Sequence, residues 1–230
     1  MGWKASFIAI SDSGSKNHEQ LLSGLGFSGV EKIGSKAFES VINPLKGEVY
    51  IGTYRNNLII CTHDLPMESL SMPTKLTTAE SFLCDSFPTA EIGSVVLHSV
   101  VDLWGFSLVK NREKIRCFGG TSDEGIFADE GKPLMEETKF YEGPAHDHEE
   151  NEFDGESITF AFCSRFLGKP LDEARDDLFD TKLQGYSYTF ESDESDMLKS
   201  TLEKKSRWPF YIALIVVFLI WQIVKRTLIN

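Results

Sequence analysis

The C-terminal residues 208–224 constrain this chain more than any other segment, because they form an apolar run of 17 residues without a charge. An α-helix rises about 1.5 Å per residue, so this run spans about 25 Å, the short end of what crosses a bilayer. The run is apolar on every face, which disfavours an in-plane amphipathic helix and a buried core helix. The sequence therefore predicts a membrane-spanning helix.

The residues around this run suit the two membrane interfaces. Tryptophan concentrates at such interfaces, proline fits a first helical turn, and basic residues remain outside the hydrocarbon region. Basic residues also precede the run, and the N-terminus lacks the apolar region of a secretory signal. We therefore expect a single-pass membrane protein whose N-terminal domain is cytoplasmic. The residues expected at the membrane are Trp208, Pro209, Trp221, Lys225 and Arg226.

Acidic residues dominate the part of the chain that precedes residue 208. The whole chain carries a net charge of −12, from 23 basic and 35 acidic residues. Two basic residues and no acidic residue follow position 208, so the preceding part has 21 basic and 35 acidic residues, a net charge of −14. Nucleic acid needs clustered Lys or Arg, which this composition does not favour. We predict a lipid bilayer and a basic protein as partners, and no nucleic acid.

Length and composition divide the chain into four segments. Residues 1–190 suit one soluble domain, and the 41% of apolar residues in the chain can fill its core. Residues 191–207 are predicted to be an acidic and then basic linker, residues 208–225 a transmembrane helix, and residues 226–230 a short far-side tail. Hairpin patterns outnumber strand–helix–strand units. The predicted fold class is α+β, with a largely antiparallel sheet, a few helices and one C-terminal transmembrane helix.

Periodic patterns place the elements of the soluble domain. In residues 5–10 two sets of side chains alternate, which is typical of a strand. Thr77 and Glu80 have the spacing of a capping box at a helix start. The other predicted elements are a helix at 17–25, a hairpin of 48–54 and 58–62, two strands or one bent strand within 91–109, a strand at 114–118, a loop at 119–125, and helices at 157–167 and 170–179.

The four cysteines form no metal-binding pattern. Cys61, Cys84, Cys117 and Cys163 lie more than 20 residues apart, without the paired spacing of a zinc site. A domain of about 200 residues does not need disulfide bonds to be stable. We predict buried free thiols, and the sequence indicates no cofactor.

His146 and His148 are the weak candidates for a metal site. They stand two residues apart within 142–156, a segment of 15 residues that includes seven acidic ones. A metal site needs a third rigid ligand, so a solvated acidic loop is the favoured interpretation. The loop at 11–15 also lacks the spacing and the lysine of a phosphate-binding P-loop.

His98, Asp102 and Asp123 are the candidates for catalysis. His98 and Asp102 have the chemistry of a base and its orienting acid, but on one straight strand they would stand about 13 Å apart. Direct pairing therefore requires a turn between them. The competing interpretation is that each side chain is a polar group with a backbone or loop partner.

Four stretches of the chain together resemble a bacterial family of domains of unknown function. They are PLKGEVYIGTYRNNLIICT (44–62), LHSVVDLWGF (97–106), TSDEG (121–125) and DEGKPLMEE (129–137), and they extend over about half of the chain. The resemblance implies no activity, but it implies that His98, Asp102 and Asp123 occupy characteristic positions. Members of that family generally end without a membrane helix, so the C-terminal segment is interpreted as an addition that relocates the domain.

The leading functional hypothesis is a tail-anchored protein that presents a cytoplasmic α+β binding or regulatory module. The alternative is a membrane-tethered, hydrolase-like enzyme that uses His98 with Asp102 or Asp123, which requires these side chains to share one cleft. A third hypothesis is a scaffold that assembles through helix contacts within the bilayer.

Overall fold

A computed structural model describes residues 2–14, 16–141 and 154–189, which belong to one compact unit, Met1–Phe190. The predicted linker, transmembrane helix and far-side tail lie outside the described residues, as do His146 and His148. Among the described helices, none has the length and hydropathy needed to span a membrane. The membrane segment therefore stays a prediction from the sequence.

The described residues form one antiparallel sheet. In chain order its strands are β1 (Lys4–Ile10), β2 (Ser28–Lys32), β3 (Lys36–Ala37), β4 (Glu48–Tyr54), β5 (Asn57–Cys61), β6 (Ile92–His98), β7 (Leu103–Lys110), β8 (Glu113–Thr121), β9 (Gly125–Gly131) and β10 (Lys182–Thr189). Their spatial order is β2-β10-β4-β5-β1-β6-β7-β8-β9, and β3 pairs with β10. Strands β6 to β9 form a meander, so β8–β9 lies at one edge of the sheet.

Short helices connect the strands. They are α1 (His18–Gly24), α2 (Phe38–Val41), α3 (Leu65–Ser71), α4 (Thr78–Ser86), a 3₁₀ helix (Met135–Phe140), α5 (Gly155–Leu167) and α6 (Arg175–Leu178). The predicted capping box starts α4, because the Thr77 side chain accepts a hydrogen bond from the Glu80 N–H and the Glu80 carboxylate accepts one from the Thr77 N–H. The α+β class and the antiparallel sheet are thus confirmed.

The central strand β1 is buried on both faces of the sheet. Ala5, Phe7 and Ala9 belong to a first hydrophobic core, which also contains the apolar side of α5. Ile8 and Ile10 belong to a second core, which contains the apolar side chains of α1 and α4. This arrangement is the alternation that the sequence predicted, and it places a helical layer on each face.

Two predicted elements have different bounds in the structure. Residues 119–125 were predicted as a loop, but β8 continues through Thr121 and only residues 122–124 form the turn. A Cβ atom on Gly120 would lie 2.6 Å from the indole of Trp104, so close packing between neighbouring strands accounts for this glycine. The helix predicted at 170–179 is limited to Arg175–Leu178, after a turn that follows Pro170.

Candidate functional site

Two hairpin turns meet at one end of the sheet. Residues 99–102 connect β6 to β7, and residues 122–124 connect β8 to β9. Asp102 has a positive φ of 46°, which aspartate tolerates better than most residues. The Ser122 Oγ donates a hydrogen bond of 2.8 Å to Asp102 Oδ2. This contact brings together two of the stretches, 97–106 and 121–125, that resemble the domain family.

A β-bulge lies next to the second turn. Gly120 pairs with Ile126 and Gly119 pairs with Ala128, so Phe127 is the extra residue of β9. Bulges change the direction of a side chain and are frequent at sheet edges and next to functional sites. Phe127 remains 41% exposed, although it is a large aromatic residue.

An open groove lies between α3 and these two turns, with a volume of about 450 Å³. Met67 and Ser71 come from α3, and Val101 and Leu103 come from the first turn and the start of β7. The remaining lining residues belong to the second turn and its flanking strands. They are Thr121, Asp123, Glu124 and Phe127.

The rim of this groove is unusually apolar for an exposed turn. Val100 is 73% exposed and Val101 is 56% exposed, at a position where polar turn residues are the norm. Met67 and Ile126 are also exposed large apolar side chains. Met67, Val101 and Phe127 line the same groove, and exposed apolar side chains that lie together are characteristic of sites that bind another molecule. The groove is therefore the candidate functional site.

The charge at the groove has one sign. Asp123 and Glu124 contribute carboxylates, and among the described residues that line the groove there is no Lys or Arg. Asp102 adds a third carboxylate in the adjoining turn. This field attracts a positively charged partner and repels an anionic one. Apolar contact surface and acidic charge thus occur side by side.

The three candidate catalytic residues lie near this end of the sheet, but the structure joins none of them to another by a hydrogen bond. His98 ends β6, where it pairs with Lys4 of β1 and Leu103 of β7, and its Nδ1 is buried without a partner among the described residues. Asp102 accepts its hydrogen bond from Ser122, and Asp123 lines the groove. A base needs a partner within hydrogen-bond reach. No contact in the described chain favours hydrolysis over binding.

The cysteines are free and buried, as predicted. Burial raises the pKa of the Cys61 and Cys163 thiols, and it raises the pKa of Cys117 to about 11. A nucleophilic cysteine needs the opposite shift. Within the described residues no group of three His, Cys, Asp or Glu side chains is arranged to hold a metal ion.

A buried ion pair explains much of the stretch 129–137. Arg116 of β8 is fully buried and donates from Nε and Nη2 to the Glu137 carboxylate, at 2.9 and 2.7 Å, and from Nη1 to Asp129, at 2.6 Å. Burial by itself lowers the pKa of Arg116, but the hydrogen bonds to Glu137 and Asp129 outweigh this effect and raise the pKa. Glu137 also accepts the N–H of Leu134 at 2.8 Å, so it fixes the start of the 3₁₀ helix. These charges have a structural role.

A second buried network lies beneath α3 and α4. The Lys114 Nζ is 3.0 Å from Glu80 Oε2, and both side chains are almost completely buried. The Ser69 Oγ donates to Glu80 Oε1 at 2.6 Å and lies 2.5 Å from Ser107 Oγ. These four side chains come from α3, α4, β7 and β8, and none of them lines the groove. The network therefore connects α3 and α4 to the sheet.

Sequence patterns missed most of the groove, notably Met67, Val101 and Phe127. The available signal was the apolar pair Val100–Val101 between two strands, where a hairpin turn is normally polar. Met67 lies 34 residues from Val101 in the chain, so only the packing of α3 on the sheet brings it to the groove.

A family model described as a family of unknown function, DUF6928, matches residues 13–199, which is most of the chain. This match confirms the prediction that the chain contains a domain of a family without a known activity. Neither the curated proteins nor the solved structures yielded a match to this chain.

Proposed function

We propose that this chain, which belongs to the DUF6928 family of unknown function, is a binding module that docks a basic and apolar segment of a partner protein. The groove between α3 and the two hairpin turns is the docking surface. The observation that carries the proposal is the exposed apolar lining, Met67, Val101 and Phe127, beside the carboxylates of Asp123 and Glu124.

The size of the groove suits one or two inserted side chains. A volume of about 450 Å³ is comparable to a small-ligand pocket, whereas a protein interface extends over a larger surface around such a pocket. Interfaces gain most of their affinity from a few buried apolar or aromatic contacts, and charges at the rim increase the rate of association. Apolar side chains of the partner would fill the groove, and neighbouring Lys or Arg would face Asp123 and Glu124.

A random-peptide display library tests this proposal directly. The full-length protein is used to select binders, and the selected peptides are then synthesised and titrated against it. We expect sequences in which apolar residues neighbour Lys or Arg. Val101→Lys removes an apolar contact and adds a repelling charge, so it should weaken binding by about ten-fold or more.

Leu45→Lys is the matched control, because Leu45 is 72% exposed and lies outside the groove. This variant should bind the selected peptides as well as the unchanged protein does. Asp123→Asn with Glu124→Gln should weaken binding most at low salt, where charge interactions are least screened. The proposal fails if selection yields no binders, if the binders lack basic residues, or if Val101→Lys binds them normally.

We also propose that residues 208–224 anchor this module to a membrane, with the domain on the cytoplasmic side. The support is the uncharged apolar run, the tryptophans near its two ends and the basic residues that flank it, outside the described part of the chain. Full-length protein should remain with membranes after alkaline extraction, and a chain that ends at residue 207 should be released. Release of both forms to the same extent would contradict the anchor.

A further inference from the structure

A second concavity lies at the opposite end of the sheet. Strand β1 runs from Lys4, which pairs with His98 at the groove end, to Ile10, which pairs with Leu58 next to the β4–β5 turn. The concavity lies beyond this far end of β1, has a volume of about 470 Å³ and is separate from the groove. Its lining residues are Asp12, Gly14, Lys16, His18, Thr53, Arg55, Asn56 and Leu58.

Two cationic side chains line this concavity in a strongly acidic protein. Lys16 contacts the Phe87 ring, with Nζ 5.3 Å from the ring centroid, and it forms no ion pair within the described residues. Arg55 lies 3.6 Å from Asp177, but Lys169 and the Tyr54 hydroxyl share that carboxylate. Arg55 is therefore only partly neutralised.

The other polar groups of the concavity are neutral, apart from one carboxylate. Thr53 and Asn56 supply a hydroxyl and an amide, and burial, with a smaller effect from Lys32, lowers the pKa of His18 so that the ring is neutral near pH 7. Asp12 contributes one negative charge. With Lys16 and Arg55, the lining has one net positive charge.

Two hydrogen bonds hold residues 12 and 13, beside this concavity, against the β4–β5 turn and the start of β5. Ser13 lies between two lining residues, its N–H donates to the Asn56 carbonyl, and the N–H of Asp12 donates to Asn57 Oδ1. Ser13 is only 6% exposed, yet its Oγ makes no hydrogen bond within the described residues. Ser13 itself does not line the concavity, so its hydroxyl is not among the groups that a ligand there would contact.

We infer that this concavity binds a small hydroxylated oxyanion, such as a phosphate ester or a hydroxycarboxylate. Lys16 and Arg55 would hold the anionic group through charge-assisted hydrogen bonds, and Asp12 would accept a hydrogen bond from a ligand hydroxyl. Asp12 disfavours a simple anion that has no hydrogen to donate. The ligand would contact none of the residues of the groove.

Calorimetric titration of the full-length protein tests this inference with two probes, glycerol 2-phosphate and glycerate. Both carry hydroxyls, and they differ in the anionic group. We expect saturable binding of at least one probe, and the tighter probe identifies the preferred anion. Lys16→Met and Arg55→Met should each weaken binding by about ten-fold, because each removes a charge-assisted contact.

Lys75→Met is the control, because Lys75 is an exposed lysine outside this concavity. It removes the same charge from the protein and should leave binding unchanged. The inference is overturned if neither probe binds saturably at millimolar concentration. Equal binding by Lys16→Met, Arg55→Met and Lys75→Met would also overturn it, since general charge attraction would then explain the signal. The secondary structure of each variant is checked by circular dichroism.

Discussion

In a typical protein the interior is apolar and the surface is polar. The interior beside β8 and the surface at the two hairpin turns show the reverse pattern. Inside, Arg116, Glu137, Lys114 and Glu80 are charged and almost completely buried. Outside, apolar residues such as Val100 are exposed. Each of these buried charges has an ion-pair partner, whereas the exposed apolar side chains of the turns do not pack against a hydrophobic core.

This difference separates residues that hold the fold from residues that are free to bind. A buried charge is tolerated only when its partners are complete, so the buried groups have no capacity left for a ligand. An exposed apolar side chain contributes little to folding and is available for contact. Changes in the interior should therefore reduce stability, and changes at the turns should alter binding with stability preserved.

The largest expected effect follows Glu137→Gln. Arg116 would keep the more exposed Asp129 but lose its buried anionic partner, and breaking a buried ion pair by removing one partner costs about 3–5 kcal/mol. Urea denaturation followed by circular dichroism measures the free energy of unfolding. Glu130→Gln, at an exposed position of β9, is the control and should change it by less than about 0.5 kcal/mol. Equal losses for both variants would contradict a special role of the buried pair.

A smaller loss should follow Ser107→Ala. The Ser107 hydroxyl lies 2.5 Å from Ser69 Oγ in the buried network, and its removal leaves Ser69 with Glu80 as its remaining close partner. Deleting one neutral buried hydrogen bond costs about 1 kcal/mol. The same denaturation experiment measures the loss, and Ser71→Ala at the exposed end of α3 is the control. A loss as large as that of Glu137→Gln would mean that the network acts as a single unit.

Glu91→Gln should produce a pH-dependent loss of about 1 kcal/mol or less. Burial raises the pKa of Glu91, but hydrogen bonds from Arg165 and Lys110 outweigh it and hold the pKa below the ordinary value of 4.5. A carboxylate whose pKa is lower in the folded state than in the unfolded state stabilises the folded protein at pH values above its unfolded-state pKa. This contribution is lost as the pH falls through the folded-state pKa. The two proteins should differ at pH 7 and converge below about pH 4. A difference that persists at low pH would indicate a packing effect instead.

The smallest effect on stability should follow Val101→Lys, at the exposed turn. Val101 is more than half exposed, so its replacement should change the free energy of unfolding by less than about 0.5 kcal/mol. Thermal unfolding of this variant and of Leu45→Lys should give similar midpoints. If Val101→Lys unfolds much earlier than Leu45→Lys, the turn supports the fold, and loss of peptide binding would no longer identify a docking surface.

Local patterns predicted the centre of the sheet better than its edges. The alternation in β1 is clear because both faces of that strand are buried, and the Thr77–Glu80 capping box lies within one turn of helix. Strand β9 buries only Ala128, and β2 has no fully buried residue, so neither shows an apolar period. Edge strands of this kind are specified by their neighbours.

The candidate residues illustrate the same limit. The resemblance implied only that His98, Asp102 and Asp123 occupy characteristic positions. The hairpin geometry shows that Ser122 holds Asp102 and that Asp123 lines a groove. Their catalytic role stays a prediction, and so does the membrane segment.

The sequence by itself determined the acidic character of the domain, the alternating strands of its centre and the family to which it belongs. These properties depend on composition or on residues close together in the chain. The tertiary structure decided which charges are buried and which apolar residues remain exposed. Arg116 contacts Glu137, 21 residues further along the chain, and Met67 lines the groove together with Val101. Both arrangements form only when the sheet assembles, because they depend on long-range packing that local sequence periodicity does not encode.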